Sequence, residues 1–324
     1  MVTVLSIDGG GIRGVIPALF LAEIEKRTGK PISDLFDMVA GTSTDGILTA
    51  MLCVPDGKGK PKYTAQEIFD AYFEHGGGIF HRSFARSVAT LGGFARPSYS
   101  PRKLEEMLDV FLGDARLHQT RTDVLITAYD MATSTPWFFK TPFAKAHRGP
   151  ADDPLLTQVA RATSAAPTYF PPLELEGHCM VDGGVFASNP AICAFAEAKK
   201  MYPQEREFFV VSLGTGVLSH DRPCAQVSRW GIAGWAVPIS SVMLNASSAT
   251  VDYQLRAMLS GEAYVRFQVQ LEKEHAQMDD ASRTNMQALK ALAEQAVQKE
   301  NSTLDWLCRK LKYACGVRKR FENA

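Results

Sequence analysis

Phe36-Asp37-Met38-Val39-Ala40-Gly41-Thr42-Ser43-Thr44-Asp45-Gly46 is the stretch on which the reading of this chain turns. An apolar run enters Gly-x-Ser, and Ile47-Leu48-Thr49-Ala50-Met51-Leu52 behind it can continue as a helix. A strand that bends sharply through Gly-x-Ser into a helix lifts the serine hydroxyl clear of the backbone at the carboxyl edge of a sheet. The positive end of the helix dipole then faces that hydroxyl. Ser43 is therefore the candidate nucleophile, with Gly41 and Asp45 in its elbow. A serine hydroxyl reacts poorly until a base takes its proton, so the reading requires a base and a group to hold the developing oxyanion.

Candidates for both stand at other strand ends. Asp8-Gly9-Gly10-Gly11-Ile12-Arg13-Gly14 follows the apolar run Val2–Ile7. Glycines allow backbone N–H groups to converge on a negative charge without side-chain obstruction. Gly9, Gly10 and Gly11 are the candidate donors, and Arg13 either adds positive charge or braces the loop. Asp182-Gly183-Gly184 follows Cys179-Met180-Val181 and offers a carboxylate. A free aspartate, with a pKa near ~3.9, is a poor base for serine, and partial desolvation beside the elbow would raise its proton affinity. An aspartate before two glycines is also an ordinary turn. The residues equally permit a triad in the order Ser, Asp, His, completed by His220 or His275.

Gly9-x-Gly11-x-x-Gly14 also spells a dinucleotide fingerprint. That site needs an acidic residue at the end of the second strand, where this chain runs into the serine elbow instead. No Gly-Lys-Ser/Thr loop, metal-binding histidine spacing or calcium loop is present, so no cofactor or metal is expected.

Asp8 to Gly14, Gly41 to Gly46 and Asp182 to Gly184 resemble, in that order, the oxyanion loop, nucleophile elbow and catalytic aspartate motif of the patatin-like phospholipases. Ala160-Arg161-Ala162-Thr163-Ser164-Ala165-Ala166-Pro167-Thr168-Tyr169-Phe170-Pro171 and Gly183-Gly184-Val185-Phe186-Ala187-Ser188-Asn189-Pro190 extend the resemblance, which reaches to about Gly216. It implies a serine acyl hydrolase, phospholipase A or lysophospholipase in type, working through a Ser43–Asp182 dyad without histidine. Gly10 and Gly11 would hold the oxyanion, and Tyr169, Phe170, Pro171 and Pro172 would form either a hydrophobic wall near the site or plain core. One position departs from the family pattern: its elbow carries glycine two residues after the serine, where this chain has Asp45. A side chain there is expected to crowd the turn and oppose the oxyanion, with Gly46 easing the strain, so that Asp45→Gly would raise basal esterase activity. The chain is also similar to bacterial antiphage phospholipases switched on by cyclic oligonucleotides. That similarity implies a cyclic oligonucleotide activator, an antiviral role and a sensor within residues 229–283. A third reading is a lipid- or protein-binding module whose activity Asp45 has weakened.

The 324 residues are 46% hydrophobic, enough for a substantial core, and carry 35 basic against 35 acidic residues. Zero net charge gives no reason to expect nucleic-acid binding. No apolar run reaches the ~18–20 residues needed to span a bilayer, and the N-terminus has no signal-peptide layout. These observations point to a cytoplasmic protein that meets a phospholipid membrane surface peripherally; self-association is left open. Six scattered cysteines suggest reduced thiols.

Apolar runs at 2–7, 36–40, 124–128, 179–181 and 208–213 alternate with helical patterns at 16–28 and 102–111 and after Ser43. The alternation predicts an α/β fold, a mainly parallel central sheet flanked by helices on both faces. Residues 1–216 read as the catalytic core and 217–324 as a mostly helical C-terminal extension packed on it. Within that extension 230–239 reads as a loop with bulky anchors, 264–271 as one half-buried strand by its period of two, and 282–298 and 303–313 as helices. Residues 76–103 carry three consecutive glycines, four aromatics, five basic residues and no acidic one. They read as a surface loop or as a lid meeting anionic lipid.

Overall fold

In this computed structural model the described residues are 1–79, 97–147, 149, 152–218, 222–236 and 238–322. Among them are ten strands: β1 (Val2–Ile7), β2 (Met38–Gly41), β3 (Asp123–Asp130), β4 (Thr135–Lys140), β5 (Leu173–Leu175), β6 (His178–Asp182), β7 (Phe208–Leu213), β8 (Val217–Leu218), β9 (Tyr264–Phe267) and β10 (Gln270–Leu271). The main sheet runs β5-β6-β3-β2-β1-β7-β9, with β4 also paired to β3. The five strands from β3 to β9 are mutually parallel, whereas β4, β5 and β6 pair antiparallel.

Burial on both faces explains why β1 and β7 read as unbroken apolar runs rather than alternating ones. Their side chains still alternate. Leu5, Ile7, Phe209 and Val211 enter one core with helices Val15–Thr28, Thr44–Cys53, Arg283–Lys299 and Asn301–Glu322. Val2, Val4, Phe208 and Val210 enter a second core against Ala191–Met201 and Pro238–Met258. Helices on both faces of a mostly parallel sheet are thus observed as expected.

The chain after Gly216 is built into this body. It supplies β9 to the main sheet and Leu304, Leu307 and Leu311 to the first core. The 264–271 segment is not one strand: it breaks at Gln268-Val269, so β9 joins β7 while β10 pairs with β8 in a separate two-stranded sheet. At the break the exposed Gln268 side chain accepts the Gly216 N–H at 2.7 Å. Residues 230–239 are not a loop, for helices occupy Ile232–Ala236 and Pro238–Met258. Their Ser, Ala and Thr content gives no amphipathic stripe by which a sequence reading could find them. The expected 282–298 helix is Arg283–Lys299, and Ser282 caps it by accepting the Asn285 N–H. Arg82, Arg86 and Arg96 of the proposed lid lie outside the described residues.

One buried ion pair ties the late strand to the early one. Arg266 on β9 holds both oxygens of Asp8, at the end of β1, through its two terminal nitrogens. Ser248 donates to the same carboxylate at 3.1 Å. Burial raises the Asp8 pKa even against the pull of the facing guanidinium, and the carboxylate in turn raises the Arg266 pKa. Removing one member of such a pair leaves the other as an uncompensated buried charge, so Arg266→Ala is expected to cost about 3–5 kcal/mol. Urea unfolding of this variant, and of Asp8→Asn/Arg266→Met, checks the assignment: the double change should cost less than Arg266→Ala alone, and an Arg266→Ala midpoint equal to wild type would refute it.

Candidate active site

The register of β3 assembles the site. β4 covers one edge of β3 along Leu125–Asp130, so β2 and β6 must share the other. β2 ends there with Gly41 opposite Ile126, and antiparallel β6 arrives with Asp182 opposite Ala128. The carboxyl ends of β2 and β6 therefore meet head to head, two residues apart along β3.

At that meeting point the backbone turns through Ser43 with φ 61° and ψ −135°, in the left-handed half of the map where a side chain is strained. The turn is possible because its neighbours are bare. A Cβ on Gly41 would lie 2.3 Å from both Asp45 O and Thr49 Oγ1, and one on Gly46 would lie 2.7 Å from Thr163 Cγ2. Polar anchors hold the strained residue. The Ser43 N–H donates to Thr163 Oγ1 at 2.9 Å, and Thr42 Oγ1 donates to Ala187 O at 2.8 Å.

The Ser43 hydroxyl lies near enough to Asp182 to favour its charged form, and Asp182 Oδ1 accepts the Gly184 N–H at 2.7 Å. Burial pushes the Asp182 carboxyl up to about 6, against the pull of these two donors. The buried Asp182 carboxyl is thereby able to take up a proton just below neutral pH.

The glycine loop flanks the serine: a Cβ on Gly9 would stand 3.2 Å from Ser43 Cβ. Two of its expected roles need correction. The Gly9 N–H already donates to Ser188 O at 2.8 Å, so Gly9 is not an oxyanion donor. Arg13 does not aim at the oxyanion position either. Its guanidinium donates to Gly10 O and Ala276 O, at 3.3 and 3.4 Å, and braces the loop from behind. The Ile12 N–H is held by Met278 O at 2.8 Å. Among the described residues, the Gly10 and Gly11 N–H groups are the ones left in this stretch without a backbone acceptor. Gly11 has φ +63°, and a Cβ there would strike Met278 O, so only glycine fits.

The model of the family described as "Patatin-like phospholipase" matches residues 5–195, a span that contains the glycine loop, Ser43 and Asp182. The chain belongs to the patatin-like phospholipase family. Patatin-like protein 2 of Oryza sativa subsp. indica is 36% identical, with 94% of this chain and 86% of that protein covered. Patatin-like protein 2 of Arabidopsis thaliana is 35% identical over 92% and 83% of the two chains, and Patatin-T5 of Solanum tuberosum 34% identical over 93% and 85%. VipD from Legionella pneumophila aligns at a TM-score of 0.36 and 10% identity over 91% of this chain and 67% of that one, too slight a likeness to argue from. Membership makes the chain a hydrolase of the lipid acyl class.

Against the patatin-like pattern, Asp45 is accommodated by an unexpected partner. Its carboxyl is fully buried and turned toward Gly14, where a Cβ would lie 2.8 Å from Asp45 Oδ1 and 2.3 Å from the Tyr72 hydroxyl. The missing side chain at Gly14 makes room for the extra one at Asp45, so the crowding expected of the elbow is relieved. Tyr72 lies beside Oδ1 without closing a well-formed hydrogen bond, and Thr44 Oγ1 approaches Oδ2 at 3.3 Å. Burial, reinforced by Asp8, pushes the Asp45 carboxyl well up despite the nearby Arg13. The shift favours the neutral acid over what an exposed aspartate would show, which lessens the charge set against an oxyanion.

A cleft opens at Ser43 and is lined almost wholly by apolar side chains. Ile47, Leu48 and Met51 line it from the elbow helix, Ile68 and Tyr72 from helix Ala65–Ile79, and Tyr169 and Phe170 from the opposite wall. Met51 lies eight residues beyond Ser43, which at ~1.5 Å per residue places it roughly 12 Å along the cleft. The sequence reading missed Thr163, which fixes Ser43, and Met278, which closes the loop. Thr163 falls in the 160–171 run that carried the resemblance; Met278 carries no local signal. Glu272, Glu274 and His275 bring ligating atoms within 4.8 Å of one another, but both glutamates are exposed and none of the three lines the cleft.

Two outcomes follow from the two carboxyls. The kcat/KM for a soluble ester should fall on the acid side with an apparent pKa near 6, as Asp182 becomes protonated. A limb centred near 4 would mean that Asp182 is not desolvated. Asp45→Asn, which mimics the neutral acid, should keep kcat/KM at pH 7 within ~3-fold of wild type and flatten any alkaline decline. A loss beyond ~10-fold at pH 7 would instead show that Asp45 works ionised.

Proposed function

We propose that this chain cleaves fatty-acyl esters of membrane phospholipids, as a phospholipase A or lysophospholipase, through Ser43 and Asp182. One observation carries the reading: a strained serine stands beside a buried carboxylate at the mouth of an apolar cleft.

Each step uses a group already in place. Ser43 Oγ attacks the ester carbonyl carbon as its proton passes to Asp182. The carbonyl oxygen gains negative charge and is held by the Gly10 and Gly11 N–H groups, at the N-terminal end of helix Thr44–Cys53. Collapse breaks the ester bond, and the leaving alkoxide takes the proton from Asp182. The acyl chain lies in the cleft, esterified to Ser43. Water then gives a proton to Asp182 as its oxygen attacks the acyl carbon; the free fatty acid departs, and the proton returns to Ser43. A base with a pKa of about 6 can both accept and return a proton near neutral pH.

Described histidine rings have other partners: His118 pairs with Asp153 at 2.6 Å, His178 with Asp130 at 2.9 Å, and His275 with Asn285 at 2.9 Å. His220, the other triad candidate, lies outside the described residues. A dyad mechanism therefore predicts a lopsided response in p-nitrophenyl butyrate hydrolysis. Ser43→Ala and Asp182→Asn should each lose ~10³-fold or more in kcat, and no single His→Ala change more than ~10-fold. A large loss from His220→Ala or His275→Ala would restore the triad. Hydrolysis at the same background rate in wild type and Ser43→Ala would replace the enzyme with a lipid-binding module.

A further inference from the structure

Eleven large hydrophobic side chains are exposed among the described residues, and six of them fall within residues 232–258. Ile232 is 93% exposed and Met243 60%. On helix Pro238–Met258, Ile239, Met243 and Tyr253 lie on one exposed line, with Ala246 and Thr250 at the same helical spacing between them. No charged residue interrupts that line. Trp235 adds an amphipathic ring on the short helix before it, packed edge-on against Trp230. A patch of this kind on an otherwise well-sorted surface marks a contact.

Charge and position identify what meets it. Residues 222–251 contain Arg222 and Arg229 and no aspartate or glutamate. Arg222 lies over the Trp230 ring at 5.8 Å, at the border of the apolar face. A second copy of the chain would bring arginines against arginines, whereas an anionic surface would complement them. The same helix packs on the turn that follows the catalytic aspartate. Ser247 Oγ donates to Phe186 O at 3.4 Å, a Cβ on Gly184 would meet Leu244 at 3.8 Å, and Val185 in that turn is exposed.

We propose that the face formed by helices Ile232–Ala236 and Pro238–Met258 docks this protein on the surface of an anionic phospholipid bilayer, beside the Ser43–Asp182 site; the inference rests on the reading of that site as a phospholipid hydrolase. Trp235, Ile239 and Met243 enter the headgroup boundary, while Arg222 and Arg229 meet lipid phosphates. The helix contact with the Gly184–Ala187 turn holds the site at a fixed distance from the bilayer, so that a lipid need leave it only partly to reach Ser43.

Vesicle flotation tests this in a Ser43→Ala background, where the lipid is not consumed. The vesicles are dioleoyl phosphatidylcholine, alone or with about 30 mol% dioleoyl phosphatidylglycerol as the anionic lipid. Ile239→Ser/Met243→Ser should lower partitioning about tenfold or more on both vesicles, each lost apolar anchor weakening insertion. Arg222→Gln/Arg229→Gln should lower it on the anionic vesicles only. Both double changes, placed in the protein with Ser43 intact, should leave p-nitrophenyl butyrate hydrolysis unchanged, which shows the fold and site undisturbed. Partitioning of Ile239→Ser/Met243→Ser equal to that of its parent overturns the proposal. So does a dimer in sedimentation that this variant converts to monomer while vesicle binding persists, since the face would then belong to a second copy. Butyrate hydrolysis that survives Ser43→Ala would fail the reading of the site and leave the flotation result standing alone.

Discussion

A single edge of β3 sets the geometry of the site. β2 releases it at Ile126 and β6 takes it up at Ala128. Because β2 runs parallel to β3 and β6 runs against it, each delivers its carboxyl end to the same gap. A one-residue slip of β6 would turn its side chains to the opposite face of the sheet and remove Asp182 from Ser43. Register is protected by the core rather than by the site: Val124, Ile126 and Ala128 are buried on one face with the elbow helix, and Leu125 on the other. The catalytic pairing is thus a by-product of burying alternate residues of a strand that takes no part in the chemistry.

Given that gap, the remaining problem is to force a serine into a backbone conformation it does not favour. The strain at Ser43 is tolerated because the surroundings over-determine the turn. Gly41 and Gly46 let strand and helix approach closely, and Thr163 and Thr42 fix the backbone and side chain on either side. The oxyanion loop is held with equal economy of freedom. Ser188 takes Gly9, Met278 takes Ile12, and Arg13 closes the loop on Gly10. Asp8, immediately before it, is gripped by Arg266 on β9. The chain after Gly216 is therefore tied to the root of the glycine loop, since it supplies the cation that pairs with Asp8.

What the sequence disclosed follows from how local each cause is. Ser43, Asp182 and the glycine loop were legible because a strained turn and a backbone nest each require particular small residues at fixed spacing. β1 and β7 were legible because strands covered on both faces are continuously apolar. Helix Pro238–Met258 was not, because its stability comes from Val251 and Leu255 packing on the second core rather than from a visible stripe. The break between β9 and β10 was hidden because alternation continues across it while the pairing partner changes from β7 to β8. Gly9 was misassigned as a donor for a related reason: its competing acceptor, Ser188 O, is 179 positions away in sequence and near only after folding. The accommodation of Asp45 by Gly14 is the same kind of fact, a volume shared between distant positions that neither position reveals alone.

Asp45 and Asp182 show how one desolvated region can hold two carboxyls in different states. Burial raises both, and neither has an arginine in bidentate contact of the kind that faces Asp8. The difference lies in the donors. Asp182 accepts a backbone N–H and has the Ser43 hydroxyl beside it, both of which favour the anion, and its pKa stops at about 6. Asp45 Oδ1 has no well-formed partner and Thr44 gives Oδ2 only a long contact, so proton affinity continues to rise. Hydrogen bonds to the charged form therefore separate the two acids, holding one nearer its ordinary range than the other. An additional acid in a patatin-like elbow need not weaken the site, provided it is buried deeply enough to lose its charge. The pocket that removes the charge exists because residue 14 has no side chain.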